Sequence, residues 1–197
     1  MLKKLGLISL CAASAFAMHS VEININDKDL ELAGKLDMGQ FYNTVEPGTV
    51  FLGAKFLNAD SAHSDASSSS TDLKSYQEMN FLMKRNIATN GLSLGLGVKL
   101  NHTENYTTIP LGVEAGFTLP IGGSIPISIG ASLYYAPEVL AMQDAKDFLE
   151  YGIHLDVEVI QNGMITVGYR NLDMGFDGVS ETFNYNSSGY IGFKFAF

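Results

Sequence analysis

Apolar and polar residues alternate along most of this 197-residue chain. The alternation is clearest between residues 91 and 101, where every second residue from Leu92 to Leu100 is apolar. Small or polar residues, such as Ser93 and Lys99, stand between them. Successive side chains of a β-strand face opposite sides. The segment is therefore predicted to be a strand with one apolar face and one small or polar face.

The same pattern recurs and predicts ten strands. They cover residues 20–26, 30–38, 48–58, 75–86, 91–101, 108–118, 124–135, 148–160, 164–173 and 188–197. Most are close to the roughly ten residues that a tilted strand needs to cross a bilayer. No long segment has helical spacing, although residues 137–147 could hold one short helical turn.

Glycine is concentrated on the polar face of these strands. The glycines concerned are Gly53, Gly95, Gly97, Gly112, Gly116, Gly130, Gly152, Gly168 and Gly192. Glycine weakens a strand unless another group approaches closely, as happens inside a small closed barrel. A soluble β-sandwich would instead turn its apolar face inward. The pattern predicts a closed antiparallel up-and-down transmembrane β-barrel of about ten strands.

The intervals between strands alternate in length from the third onward. The third, residues 59–74, is long and contains a run of four serines at positions 67–70. Outer-membrane barrels have longer extracellular loops and tight periplasmic turns, so we expect the long intervals to lie outside the cell. An eight-strand barrel is the main alternative, with residues 18–48 as a periplasmic or plugging segment.

The two ends of the chain carry targeting patterns. Lys3 and Lys4 precede an apolar stretch, and Ala15 and Ala17 form an A-x-A site for signal peptidase. The domain organisation is therefore a cleaved signal peptide, residues 1–17, and a barrel domain, residues 18–197. Cleavage removes the only cysteine, Cys11. The last strand alternates apolar residues up to a terminal phenylalanine, which resembles the sorting signal read by the outer-membrane barrel assembly machinery. Its residues are Ile191, Phe193, Phe195 and Phe197.

Composition narrows the possible partners. Hydrophobic residues make up 46% of the chain and charged residues 17%, yet no run of eighteen apolar residues exists, so a helical membrane protein is excluded. The formal net charge of -9 argues against a nucleic-acid partner. The expected partners are the lipid bilayer of the outer membrane and the barrel assembly machinery. The sequence leaves the oligomeric state open.

Charged residues on the inward face form the main candidate site. The predicted lumen charges are Lys55, Lys99, Glu114, Glu150, His154, Asp156, Glu158, Arg170 and Lys194, together with Glu22, Glu31, Lys35, Asp37, Glu78 and Lys84 on the same inward face. Buried charges must be paired or hydrated, so mixed signs predict a salt-bridge plug that fills the lumen. A narrow, weakly cation-preferring water path is the alternative, but ten strands leave little room for one.

Little in the sequence points to catalysis. His154 and Asp156 share the inward face, and such a pair could orient an imidazole for base catalysis in an outer-membrane protease or lipid-modifying enzyme. A lumen histidine bonded to carboxylates is the simpler interpretation. No metal or cofactor site is predicted. Four tyrosines could form interfacial girdles, namely Tyr135, Tyr151, Tyr169 and Tyr190.

Several short runs are similar to those of a known family. They are residues 134–140 (YYAPEVL), 149–152 (LEYG), 167–172 (VGYRNL) and 189–193 (GYIGF). Together they resemble the YfaZ family of outer-membrane proteins. The resemblance implies an outer-membrane barrel of a Gram-negative bacterium and implies little about activity. The predicted role is structural or interactive, with a plugged lumen and exposed acidic loops, and no enzymatic activity is predicted.

Overall fold

The computed structural model describes residues 19–27, 29–59, 75–87, 91–119, 125–178 and 182–197. Twelve β-strands lie in this part of the chain. They are β1 (Ser20–Ile25), β2 (Asp29–Asp37), β3 (Val50–Ala59), β4 (Tyr76–Asn86), β5 (Leu92–Thr103), β6 (Tyr106–Thr108), β7 (Leu111–Leu119), β8 (Ile127–Ala136), β9 (Ala141–Gln143), β10 (Ala145–Ile160), β11 (Gly163–Phe176) and β12 (Thr182–Ala196). Single 3-10 turns lie at Met38–Gln40 and Glu138–Leu140. The second confirms the short turn predicted between residues 137 and 147.

Ten of the strands form a closed antiparallel barrel in the order β1, β2, β3, β4, β5, β7, β8, β10, β11, β12. The barrel closes where β12 pairs with β1, from Ser20 opposite Ala196 to Ile25 opposite Ile191. Closure gives each of these ten strands a partner on both sides, which is what a sheet in a bilayer requires. The predicted fold class and strand number are confirmed.

The eight-strand alternative is wrong. β1 pairs on one side with β12 and on the other with β2, and β2 pairs in turn with β3. Both β1 and β2 are thus part of the wall and do not form a plug or a periplasmic segment. Gly34 interrupts the apolar face of β2, but it lies opposite Ala54 without breaking the pairing with β3.

The two short strands β6 and β9 raise the wall at one end of the barrel. β6 forms a hairpin with β5, and β9 pairs with β6. Pro110 separates β6 from β7, because proline lacks the N–H that a continuous ladder would need. The connection between β5 and β6 consists only of residues 104–105. The sequence predicted a longer interval, residues 102–107, because β6 was not recognised as a strand.

The two ends of the barrel differ. We call the end where β1 begins and β12 ends the terminal end, and the opposite end the distal end. Over most of the wall the apolar residues face outward: Leu96 is 62% exposed, whereas Lys99 on the opposite face of β5 is 6% exposed. Such an exterior is the reverse of a soluble β-sandwich.

At the distal end the pattern inverts. Inward residues become apolar, and they form one buried cluster that we call the apolar layer: Leu57, Tyr76, Tyr106, Ala136, Ala145, Phe148, Leu172, Met174 and Tyr185. On the outward face of β11 and β12, Asn171 and Asn184 both donate hydrogen bonds to Asp173. The wall here resembles a soluble domain. This inversion explains why β10 and β12 begin earlier than the predicted residues 148 and 188.

Within the described residues, no helix is long and apolar enough to cross a membrane.

Candidate functional site

Four charged side chains meet in the barrel interior. They are Lys55 on β3, Glu78 on β4, Lys99 on β5 and Glu150 on β10, and we call them the four-charge cluster. The Lys55 ammonium lies 2.8 Å from Glu78 and 2.9 Å from Glu150. The Lys99 ammonium lies 3.2 Å from Glu78 and 2.6 Å from Glu150. Each cation therefore bridges both carboxylates, and the formal charges cancel.

The bridge between Lys55 and Glu150 spans the whole lumen. Four strands separate β3 from β10 along one side of the wall, namely β4, β5, β7 and β8. Four separate them along the other side, namely β2, β1, β12 and β11. The two residues thus stand on opposite sides of the barrel, and their contact crosses the lumen at this level.

Aromatic side chains pack around the four-charge cluster. The Tyr76 hydroxyl donates to Glu78 over 3.3 Å. The Lys99 ammonium stands 4.0 Å from the centre of the Tyr134 ring, within the range of a cation–π interaction. Tyr134 in turn donates its hydroxyl proton to Glu114 over 2.8 Å. Tyr76 on β4 and Tyr134 on β8 thus hold the cluster in place from two different strands.

A second buried ion group surrounds Arg170 on β11. Its Nη1 contacts the Glu31 carboxylate of β2 at 2.5 Å, and its Nε donates to the Asn186 side chain over 2.9 Å. Asp29 lies 3.8 Å from Nη2 and accepts a hydrogen bond from the Asn186 amide. One guanidinium thus compensates two carboxylates, and the neighbouring amide supplies further hydrogen bonds.

The interior near the terminal end is polar and more open. Lys194 lies 2.6 Å from Asp156 and 3.7 Å from Glu22. Lys35 and Glu114 approach to 3.9 Å, and the Lys35 side chain is 40% exposed. Solvent therefore reaches these side chains from the terminal end, in contrast to the buried four-charge cluster.

His154 and Asp156 do not form a hydrogen-bonded pair. The His154 Nε2 lies 3.9 Å from the Asp156 carboxylate, beyond hydrogen-bond length. Both Asp156 oxygens already accept hydrogen bonds, one from the Thr166 hydroxyl over 2.7 Å and the other from the Lys194 ammonium. The carboxylate is therefore committed to other partners and does not orient the imidazole.

The structure places the remaining predicted lumen charges individually. Glu158 accepts a hydrogen bond from the backbone N–H of Asn162 in the tight turn between β10 and β11, so its contact stabilises a turn. Glu114 contacts Tyr134 and Lys35, as described above. Lys55, Lys99 and Glu150 meet in one cluster, whereas Arg170 and Lys194 organise separate groups.

The structure adds interior residues that the sequence did not assign. Asp29 was placed in an inter-strand interval, although it begins β2. Glu31 and Glu78 were predicted to face inward and are buried in the structure, but alternation alone does not show which charges meet. Tyr134 could have been found from the sequence, because the outward Leu133 and Tyr135 on either side place it inward. The apolar layer was missed because the prediction assumed one unchanged pattern along each strand.

The outward position that an interfacial girdle needs is present for three of the four predicted tyrosines and absent for one. Tyr135, Tyr151 and Tyr169 are exposed on the outer surface, and the rings of Tyr151 and Tyr169 lie 6.4 Å apart. Tyr190 lies inside instead, with the Arg170 guanidinium 5.3 Å from its ring centre. The strand register decides this, because Tyr190 alternates with the outward Ile191.

The predicted targeting residues divide between the two ends of the chain. Ile191, Phe193, Phe195 and Phe197 all lie exposed on the outer surface of the last strand and its end. The Phe197 ring stacks on Phe195, and its backbone N–H donates to the carbonyl of His19. Ala15 and Ala17 lie outside the described residues.

In the part of the chain that the structure describes, no group of three His, Asp or Glu side chains is arranged to hold a metal ion.

A family model described as "YfaZ precursor" matches residues 6–197. The chain belongs to the YfaZ family. This confirms the resemblance noted in its sequence, and the word precursor agrees with the predicted signal peptide. No curated protein matches this YfaZ sequence.

Solved structures give distant matches. A structure described as KdgM porin has a TM-score of 0.47 and 8% identity, covering 91% of this chain and 98% of its own. KdgM porin in complex with disordered oligogalacturonate gives a TM-score of 0.45 at 8% identity, with the same coverage. A NanC porin structure in a rhombohedral crystal form gives 0.44 at 6% identity, again covering 91% and 98% of the two chains.

Proposed function

We propose that this YfaZ protein is an outer-membrane β-barrel of Gram-negative bacteria. Its closed wall and outward apolar residues fit a bilayer, because each of the ten wall strands is paired on both sides. The terminal end would face the periplasm and the distal end the cell exterior, where the wall becomes polar outside. The outward tyrosines Tyr135, Tyr151 and Tyr169 would mark the outer interface.

We further propose a structural or interactive role with a closed lumen. The observation that carries this proposal is the ion pair between Lys55 and Glu150 across opposite walls of the barrel. The apolar layer covers the same lumen on the distal side. Open channels need about sixteen strands, whereas a barrel of this size is filled by its side chains. No catalytic role is assigned to His154.

Planar-bilayer recording tests the closed lumen. The purified, folded protein should give no steady single-channel steps, because ions would have to cross both the four-charge cluster and the apolar layer. The double variant Lys55→Ala, Glu150→Ala should leak more than the wild type, since it removes the bridge between the walls. The control variant Lys35→Ala should not, because the Lys35 side chain is 40% exposed and lies nearer the terminal end.

A narrow channel is the second candidate. The exposure of Lys35 and His154, 40% and 37% of their side chains, favours water entry from the terminal end as far as the four-charge cluster. The same recording separates the two candidates. Steady, ion-selective steps from the wild-type barrel would establish the channel and contradict the closed lumen.

A further inference from the structure

Two polar side chains face each other on the distal side of the four-charge cluster. Asn101 on β5 and Thr108 on β6 are cross-strand partners, and Asn101 is also opposite Glu78 on β4. Both residues are 0% exposed. Their inward direction follows from their neighbours, because the intervening residues His102 and Thr107 bond to each other on the outer surface. The pair is thus sealed inside the wall at the level of the apolar layer.

Three polar atoms of this pair have no hydrogen-bond partner among the described residues. They are the amide nitrogen and the amide oxygen of Asn101 and the hydroxyl of Thr108. A buried polar group without a partner is costly, and native proteins almost always supply one. Three such atoms on one cross-strand pair therefore point to a shared occupant.

The chemistry of the three atoms identifies the occupant. The Asn101 nitrogen can only donate a proton, and its oxygen can only accept one. A metal cation would satisfy the oxygen and the hydroxyl, but it would oppose the amide nitrogen. An anion would satisfy the nitrogen and oppose the oxygen. Water both donates and accepts, and a buried water typically makes about three hydrogen bonds.

We propose that Asn101 and Thr108 hold an internal water molecule. The water accepts from the Asn101 amide nitrogen and donates to the Asn101 amide oxygen and the Thr108 hydroxyl oxygen. Small neighbours favour this, since Thr108 faces Ala141 across the β6–β9 pair. β5 supplies no side chain to the apolar layer and carries Asn101 and Thr103 at that height. The water site therefore extends the polar interior past the four-charge cluster along β5.

Substitution of the threonine tests the proposal through stability. Thr108→Val keeps the shape and removes the hydroxyl. If the hydroxyl binds water, the folding equilibrium constant should fall by about 2- to 13-fold, the range of one hydrogen bond. Thr166→Val is the matched control, because Thr166 is equally buried and has a visible partner in Asp156. It should lower the equilibrium constant at least as much, because its partner is a carboxylate.

The opposite result overturns the proposal. If Thr108→Val folds as well as the wild type or better, while Thr166→Val folds less well, the Thr108 hydroxyl has no partner to lose. Urea titration of the refolded protein in detergent gives these equilibrium constants.

A second measurement needs no variant. Nuclear Overhauser effects between water and the Asn101 side-chain amide protons, recorded on the folded protein in micelles, should reveal a bound water with a long residence time. The signal should weaken in Thr108→Val. If the wild type gives no such signal, the site does not hold water.

Discussion

Charged side chains inside this barrel are stable only in compensated groups. Arg170 shows the principle best, because its guanidinium contacts Glu31 and Asn186 and lies near Asp29. Burying a charge is unfavourable, and attraction between partners offsets the cost only when the remaining hydrogen-bonding positions are filled. Removing one partner should therefore lower the free energy of unfolding by more than the intact pair contributes to it.

Arg170→Met should destabilise the barrel by about 3–5 kcal/mol, because it leaves the carboxylates of Asp29 and Glu31 buried without their cation. Arg85→Met is the matched control. Arg85 lies exposed on the outer surface of β4, so its loss should change stability by about 0.5 kcal/mol or less. Urea titration followed by tryptic protection measures both. Equal effects of the two substitutions would show that the interior group is not specially stabilising.

Interior glycines leave room for large side chains that pack closely against the backbone. A Cβ at Gly112 would collide with the Leu133 carbonyl oxygen and with the Tyr134 ring. The ring therefore needs glycine beneath it to reach Glu114 and Lys99. The sequence showed that the polar face is rich in small residues. It did not show that each glycine serves a particular neighbour.

At the scale of strands, the last strand combines packing with targeting. The aromatic residues Phe193 and Phe195 of β12 lie opposite Ile23 and Val21 of β1, so they help to cover the seam where the barrel closes. We propose that these residues, with Ile191 and Phe197, also form the signal for the assembly machinery.

Phe197→Ala should reduce the amount of folded protein in the outer membrane several-fold while barely changing urea stability in vitro. The reason is that, in our proposal, the terminal ring is recognised before folding, whereas in the folded barrel it is partly exposed and contacts only Phe195 and His19 among the described rings. Phe56→Ala is the matched control, because Phe56 is another phenylalanine exposed on the outer surface. Cell fractionation and the heat-dependent gel shift measure the two quantities. Equal losses in cells would indicate that apolar area matters and that position does not.

The distal inversion is also a property of strands. β10, β11 and β12 are 16, 14 and 15 residues long, longer than a bilayer requires. Near the distal end, these strands turn apolar residues such as Phe148 and Leu172 toward the interior and Asn171 toward the outer face. Apolar and polar residues still alternate through this change, but the apolar residues now face inward and the polar ones outward, as expected where water replaces lipid as the outer solvent.

At the scale of the whole molecule, closure makes every strand of the wall necessary. Deleting residues 19–49 removes β1 and β2 and leaves β12 and β3 each paired on one side only. We expect this variant to form no folded barrel, because unpaired backbone groups are unfavourable in lipid. Loss of both the heat-dependent gel shift and the protease-resistant core would show it.

Deleting residues 67–70 is the control. The sequence predicts a solvated loop for this serine run, which lies outside the described residues, so the shortened chain should fold normally. A deletion of residues 19–49 that still folded into a protease-resistant barrel would instead support an eight-strand wall.

The sequence by itself determined the barrel and the inward position of the charges, because one residue in two must face lipid in a transmembrane wall. It favoured ten strands but left eight open, and the pairing of β1 with β12 and β2 decided between them. It also identified the family. Only the tertiary structure decided which charges meet. Lys55 and Glu150 are distant in the chain and sit on opposite walls, so their pairing depends on closure, register and strand tilt together. The apolar layer and the inward Tyr190 were decided in the same way, since a local pattern shows that a face changes but not what lies across the lumen.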